Sequence, residues 1–161
     1  MLDRTTDIPG RIFLPIGGIH CATIPTVIST VLGSCVSVCL YDRGRGVGGM
    51  NHFHMPRSPD ASKTGLRYGD ASLDALLAEM AALGCAGEDL VAKVFGGAAM
   101  FGAPGGGVGG SNVRFALDYL RDRGIPVVAA RTGGVTGSHL QLFSATGEVL
   151  VRRVSRLEGP R

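Results

Sequence analysis

Gly33-Ser34-Cys35 places a thiol directly after a dipeptide suited to a tight turn, and two histidines, His52 and His54, follow in the stretch GGMNHFHMP. A thiolate is the reactive form of cysteine, and an unperturbed thiol ionises near pH 8.5, so chemistry at neutral pH needs a neighbour to take the proton. An imidazole suits that task. A glycine turn would also leave the backbone N–H groups at Ser34 and Cys35 free to face a developing oxyanion. Together these features fit nucleophilic attack on an acyl carbon. Cysteine is also a common small buried hydrophobe, so spacing alone leaves packing as the alternative.

The elements around these residues are strands. CVSVCLYD alternates Val36, Val38 and Leu40 against Cys35, Ser37, Cys39 and Tyr41. The turn-forming DRGRGVGG follows, then a second strand carrying His52 and His54. Two adjacent strands joined in this way can set Cys35 beside His52. Both histidines fall on one face, so alternation does not choose between them as the base. TVIST supplies a strand before the turn, and RIFLPIGGIHCATIP supplies short β runs broken by Gly and Pro.

Two helices are expected. Leu73, Leu76, Leu77, Met80 and Leu83 recur at helical spacing, with Asp70 as the expected N-cap and Gly84 as the left-handed stop. Ser111 or Asn112 is expected to cap a second helix bearing Val113, Ala116, Leu117 and Leu120, closed by Gly124. LVAKVF and IPVVAAR read as strands, and HLQLFSATGEVLVRRV as a hairpin turning near Thr146-Gly147. The order is not a repeated βαβ, and two helices against a layered, mixed sheet system is an α+β architecture.

Rival chemistries have weaker patterns. Cys35, Cys39, His52 and His54 are four zinc-ligand types. However, residues four apart on a strand lie about 13 Å from one another, too far to share an ion without a bend. The glycine-rich GAPGGGVGGSN leads into a helix, but it has neither the Lys-Ser/Thr of a phosphate loop nor a dinucleotide fingerprint. Cys39 reads as packed, Cys21 and Cys85 as structural, and His20 and His139 as isolated.

With 161 residues, 45% of them hydrophobic, the chain is expected to form a single domain over 1–161, with flexible ends at 1–10 and 156–161. The net charge of +3 is spread out and includes a basic tail, without the dense basic face and interleaved aromatics of a nucleic-acid binder. No stretch is apolar enough to span a bilayer, and MLDRTTDIPG does not read as a signal peptide. The four cysteines are too sparse for a disulfide scaffold; they are expected to be reduced, in a cytoplasmic protein.

LGSCVSVCLYD, GGMNHFHMP, RYGDASLDALL, KVFGGAAMF and TGGVTG occur in the order found in CheD-type chemoreceptor glutamine deamidases. The chain resembles that family from about residue 18 to 154. The resemblance implies an αββ-type sandwich like that of deamidating-toxin cysteine hydrolases. It implies conversion of glutamines to glutamates on the cytoplasmic helices of methyl-accepting chemoreceptors, through a cysteine thioester and without metal or organic cofactor. Some relatives also hydrolyse glutamate methyl esters. A CheC-like phosphatase is an implied partner, and the alternative function is a non-catalytic module that sequesters such a phosphatase. By position, Cys35 matches the nucleophile, His52 the base and Thr30 the third member, with Ser29 as its alternative; Gly33 and Ser34 form the oxyanion turn. His54 carries no role in this match. The chain departs from the family pattern at Ser111, Arg131 and Ser138, which puts a C-terminal polar network and the partner surface in question.

Overall fold

The computed structural model describes residues 10–100 and 107–154. In chain order the elements are β1 (Gly10–Phe13), β2 (Ile19–Ala22), β3 (Thr26–Leu32), β4 (Val36–Asp42), β5 (Val47–Asn51), α1 (Gly69–Ala82), β6 (Leu90–Gly96), α2 (Gly107–Asp122), β7 (Val127–Thr132), β8 (Ser138–Phe143) and β9 (Val149–Arg153). The strands form a four-stranded sheet, β1-β3-β8-β9, and a five-stranded sheet, β2-β5-β4-β6-β7. Each sheet mixes parallel and antiparallel pairs, so the architecture is α+β, as expected.

The alternation in β4 builds the layers. Val36, Val38 and Leu40 face the helices and pack with Leu73, Leu76, Met80, Ala116 and Leu120. Cys35 and Cys39 face the other way and pack with Ile28, Leu32, Leu140 and Leu142 of the second sheet. Helices, five-stranded sheet and four-stranded sheet therefore stack in that order, and the thiol belongs to the layer between the two sheets. Burying each large aliphatic side chain in these layers is worth about 1.5–3 kcal/mol.

Helix α1 ends as expected. Gly84 adopts a φ of +84°, Gly84 N–H donates to the Ala81 carbonyl and Cys85 N–H to the Met80 carbonyl, which is the paired closure of a glycine-terminated helix. Its start differs. Tyr68 is the N-cap residue and makes no side-chain capping bond, while Asp70 sits in the first turn and accepts the Ala71 N–H. An acid in the first turn complements the helix dipole without capping it. Ser111 and Asn112 also lie inside α2 rather than at its cap, because the helix already starts in the glycine run at Gly107. The hairpin turns at Gly147 as expected. The ends expected to be flexible, 1–10 and 156–161, lie outside the described residues apart from Gly10, which opens β1.

Among the described residues, no helix is long and apolar enough to cross a membrane.

Candidate active site

The site forms where the end of β3, the turn into β4 and the chain leaving β5 converge between the sheets. β4 and β5 are antiparallel, with Cys39 opposite Met50. Asn51 then interrupts the ladder: its Oδ1 accepts the Val38 N–H at 2.7 Å, and its Nδ2 donates to Ser72 Oγ at 3.0 Å. Pairing resumes at Val36 and Phe53, whose N–H groups each donate to the other's carbonyl. Carried one residue further, this register sets His54 directly across from Cys35 and His52 on the diagonal, across from Ser37. Direct cross-strand neighbours have Cβ atoms about 5 Å apart and diagonal ones about 7–8 Å.

The contacts follow the register. Cys35 Sγ lies 3.7 Å from His54 Nδ1. His52 reaches across to the other sheet, where its Nδ1 lies 2.7 Å from Thr30 Oγ1 and 3.3 Å from the Leu14 carbonyl oxygen. Thr30 Oγ1 also donates to that carbonyl, at 2.6 Å. His52 Nε2 is buried and has no hydrogen-bond partner among the described residues. In this structure, then, the sulfur touches His54, and His52 is held by Thr30.

Strand alternation separates Thr30 from Ser29. Thr30 is fully buried between the sheets, whereas Ser29 faces the other side of β3, its Oγ 3.5 Å from the Ile12 carbonyl. Leu14 reaches Thr30 because parallel pairing of β1 and β3 continues past Phe13, where Leu14 N–H donates to the Ser29 carbonyl.

Neither the Ser34 nor the Cys35 N–H donates to a backbone carbonyl among the described residues. The turn itself is tightly held: Ala98 N–H donates to the Gly33 carbonyl and Gly97 N–H to the Cys35 carbonyl. Gly96 makes this closeness possible. A Cβ there would stand 2.3 Å from the Cys35 carbonyl oxygen, and its φ of +102° disfavours any side chain.

Asn112 locks the site from the helix layer. Its Nδ2 donates to the Ser34 and His54 carbonyls, both at 2.9 Å, tying together the two segments that flank the thiol. No separate sequence signal marks this role, since an Asn near a helix start reads as a cap.

Burial pushes the Cys35 thiol up from its ordinary pKa, partly offset by its own backbone N–H. Burial pulls His52 down; the Leu14 carbonyl opposes this and the neighbouring His54 adds to it. Both shifts favour a neutral thiol beside a neutral imidazole. Cys35 is 8% exposed, so the surface over the sulfur is tighter than an open cleft. Among the described residues no group of three or more His, Cys, Asp or Glu side chains is gathered in a metal-binding arrangement. Cys39 is sealed in the layer between the sheets, where burial raises its thiol to about 12.

A family model described as CheD chemotactic sensory transduction matches residues 54–153. A protein of Rhodospirillum rubrum named "Probable chemoreceptor glutamine deamidase CheD" is 54% identical over 144 residues, covering 88% of this chain and 81% of the relative. The chain belongs to the CheD family. Proteins carrying the same name in Caulobacter vibrioides and Sulfurimonas denitrificans are 41% and 40% identical, covering 90% and 85% of this chain and 79% and 90% of their own lengths. The family model begins after Cys35 and His52, but a match of the extent seen with the Rhodospirillum CheD is too long to leave out the stretch from Thr30 to His54.

Proposed function

We propose that the chain acts as one CheD domain in the cytoplasm, hydrolysing glutamine side-chain amides on chemoreceptor cytoplasmic helices to glutamates, with Cys35 as nucleophile, His52 as base and Thr30 as the group that orients it. The names of the relatives support the substrate and the reaction. The observation that carries the residue roles is the unpartnered Nε2 of a buried His52 whose other nitrogen is tied to Thr30.

In this reading Cys35 rests against His54 and turns about its side-chain bond to meet His52 when substrate enters; catalytic hydrogen bonds are often loose before substrate binds. His52 Nε2 takes the thiol proton as sulfur attacks the amide carbon. The Ser34 and Cys35 N–H groups receive the developing oxyanion, and one such donor is worth about 3 kcal/mol in the transition state. His52 returns the proton to the departing nitrogen, and ammonia leaves a thioester. Water, deprotonated by His52, then attacks the thioester; glutamate leaves and the thiol is restored. A glutamate methyl ester would enter the same thioester with methanol as leaving group.

The test is intact-mass measurement on a chemoreceptor cytoplasmic fragment. Exchange of NH2 for OH adds about one mass unit per glutamine converted by acyl transfer. The wild-type chain should produce that gain and Cys35→Ala should not. A Cys35→Ala protein with full activity would sink the assignment.

A further inference from the structure

A cationic recess adjoins Gly33, in the turn that leads to Cys35. It is a cleft of about 140 Å³ where the end of β7 meets the start of β8 and the end of β9. Arg131 and Arg153 line it from the two different sheets, with Thr132, Thr136 and Ser138 between them. Among the described residues no acidic side chain lines it, and no ion pair or side-chain hydrogen bond engages either arginine. Two guanidinium groups that share one cleft repel each other unless an anion lies between them. Guanidinium forks and hydroxyls are the groups that grip a carboxylate. The volume is far below the 300 Å³ or more of a drug-sized site, so it admits a side chain rather than a cofactor.

The cleft is joined to the catalytic turn. Gly33 and Gly96 form part of its wall. Gly33 is two residues from Cys35, a separation of at most about 7 Å along the chain. Gly133 N–H donates to the Gly96 carbonyl and Ala99 N–H to the Gly134 carbonyl, so the loop after β7 is fastened to the strand end that holds the Cys35 carbonyl. One turn of a helix advances 5.4 Å. A helix presenting a glutamine to Cys35 therefore carries a residue one or two turns away over this cleft.

We propose that the Arg131–Arg153 cleft binds a carboxylate side chain of the substrate polypeptide, one to two helical turns from the glutamine that meets Cys35, and so selects glutamines with acidic neighbours. This rests on the reading of the chain as a deamidase of helical surfaces. The experiment measures binding of two labelled helical peptides to the full chain carrying Cys35→Ala. The peptides share one target glutamine and differ only in having Glu or Gln four and seven residues from it. The acidic peptide should bind about two- to fivefold more tightly, the scale of an exposed charge pair, and the preference should shrink as salt is added. Arg131→Ala and Arg153→Ala should each reduce the preference, and Arg131→Lys should keep part of it. Equal binding of the two peptides, no binding of either, or a preference that survives both alanine substitutions would overturn the proposal. Inorganic phosphate bound through the same arginines, without any peptide preference, would assign the cleft to free anions and overturn it equally. An intact peptide preference with no mass gain on a receptor fragment would fail the deamidase reading alone and leave the carboxylate site standing.

Discussion

The Thr30 hydroxyl decides which nitrogen of His52 carries the proton. A hydroxyl has one hydrogen, and Thr30 gives it to the Leu14 carbonyl at 2.6 Å. Its oxygen can then only accept from His52 Nδ1, 2.7 Å away. The Leu14 carbonyl oxygen, 3.3 Å from the same nitrogen, is likewise only an acceptor. Nδ1 must therefore hold the hydrogen, and Nε2 presents a bare lone pair. That is the tautomer a general base needs, and it is fixed without any carboxylate.

Removing the hydroxyl should release the ring. Thr30→Val is expected to lower kcat by about 10- to 100-fold, the scale seen when a group orienting an imidazole is lost. Thr30→Ser should restore much of the rate, because it keeps the oxygen. Steady-state rates of both variants on a receptor fragment check this; a Thr30→Val protein as fast as wild type removes Thr30 from the mechanism.

The pH dependence follows from burial. His52 is shifted below its ordinary 6.5, so it stays neutral and able to accept a proton through the neutral range. Cys35 is shifted upward, so its proton remains available for transfer until alkaline pH. The expected profile of kcat/KM is a broad plateau, with an acid limb below pH 6.5 and a basic limb above the ordinary thiol range. Alkylation of the free thiol should be slow at neutral pH and quicken in alkali. Stability shares the acid limb: an unfolded chain binds the His52 proton first, so this contribution is complete above 6.5 and lost as pH falls through the lower folded value. Thermal melts across pH 5–8, about the range in which imidazoles titrate, should show that loss and show it weakened in His52→Gln.

The layers and the thiol turn were legible because they depend on local pattern. The alternation of Val36, Val38 and Leu40 against Cys35 and Cys39 marks two buried faces, and the Leu73–Leu76–Met80 spacing marks the helix that covers one of them. Contacts set by register were not legible. Which histidine stands across from Cys35 depends on how β4 and β5 pair around Asn51, and no spacing rule fixes that. Asn112 reads as a cap for a related reason: its amide bonds leave its own helix for the Ser34 and His54 carbonyls, and local pattern offers only the cap. Leu14 contributes through a backbone oxygen, which a side-chain motif cannot reveal.

The two histidines should separate cleanly on substitution. His52→Ala removes the proposed base and is expected to cost about 10²- to 10⁴-fold in kcat. His54 touches the sulfur, but no second hydrogen bond fixes its ring among the described residues. His54→Ala should therefore cost roughly tenfold or less, the size of an effect from misplacing the resting thiol rather than from losing the base. Parallel kinetics on one receptor fragment decide the matter, and an inactive His54→Ala beside an active His52→Ala would exchange the roles.

The two bonds that Asn112 makes to the Ser34 and His54 carbonyls can be broken or reversed by substitution. Asn112→Ala leaves the Ser34 and His54 carbonyls without their donor and should cost about 1–3 kcal/mol. At about 2–4 °C per kcal/mol for a chain of this size, the melting temperature should fall by several degrees. Asn112→Asp keeps the shape but aims a carboxylate at two carbonyl oxygens, so it should destabilise more than alanine does at neutral pH and recover toward the alanine value as acid protonates it. Melting curves of both variants at two pH values test this order. An Asp variant as stable as wild type at neutral pH would mean that the bridge does not hold the Ser34 and His54 segments together.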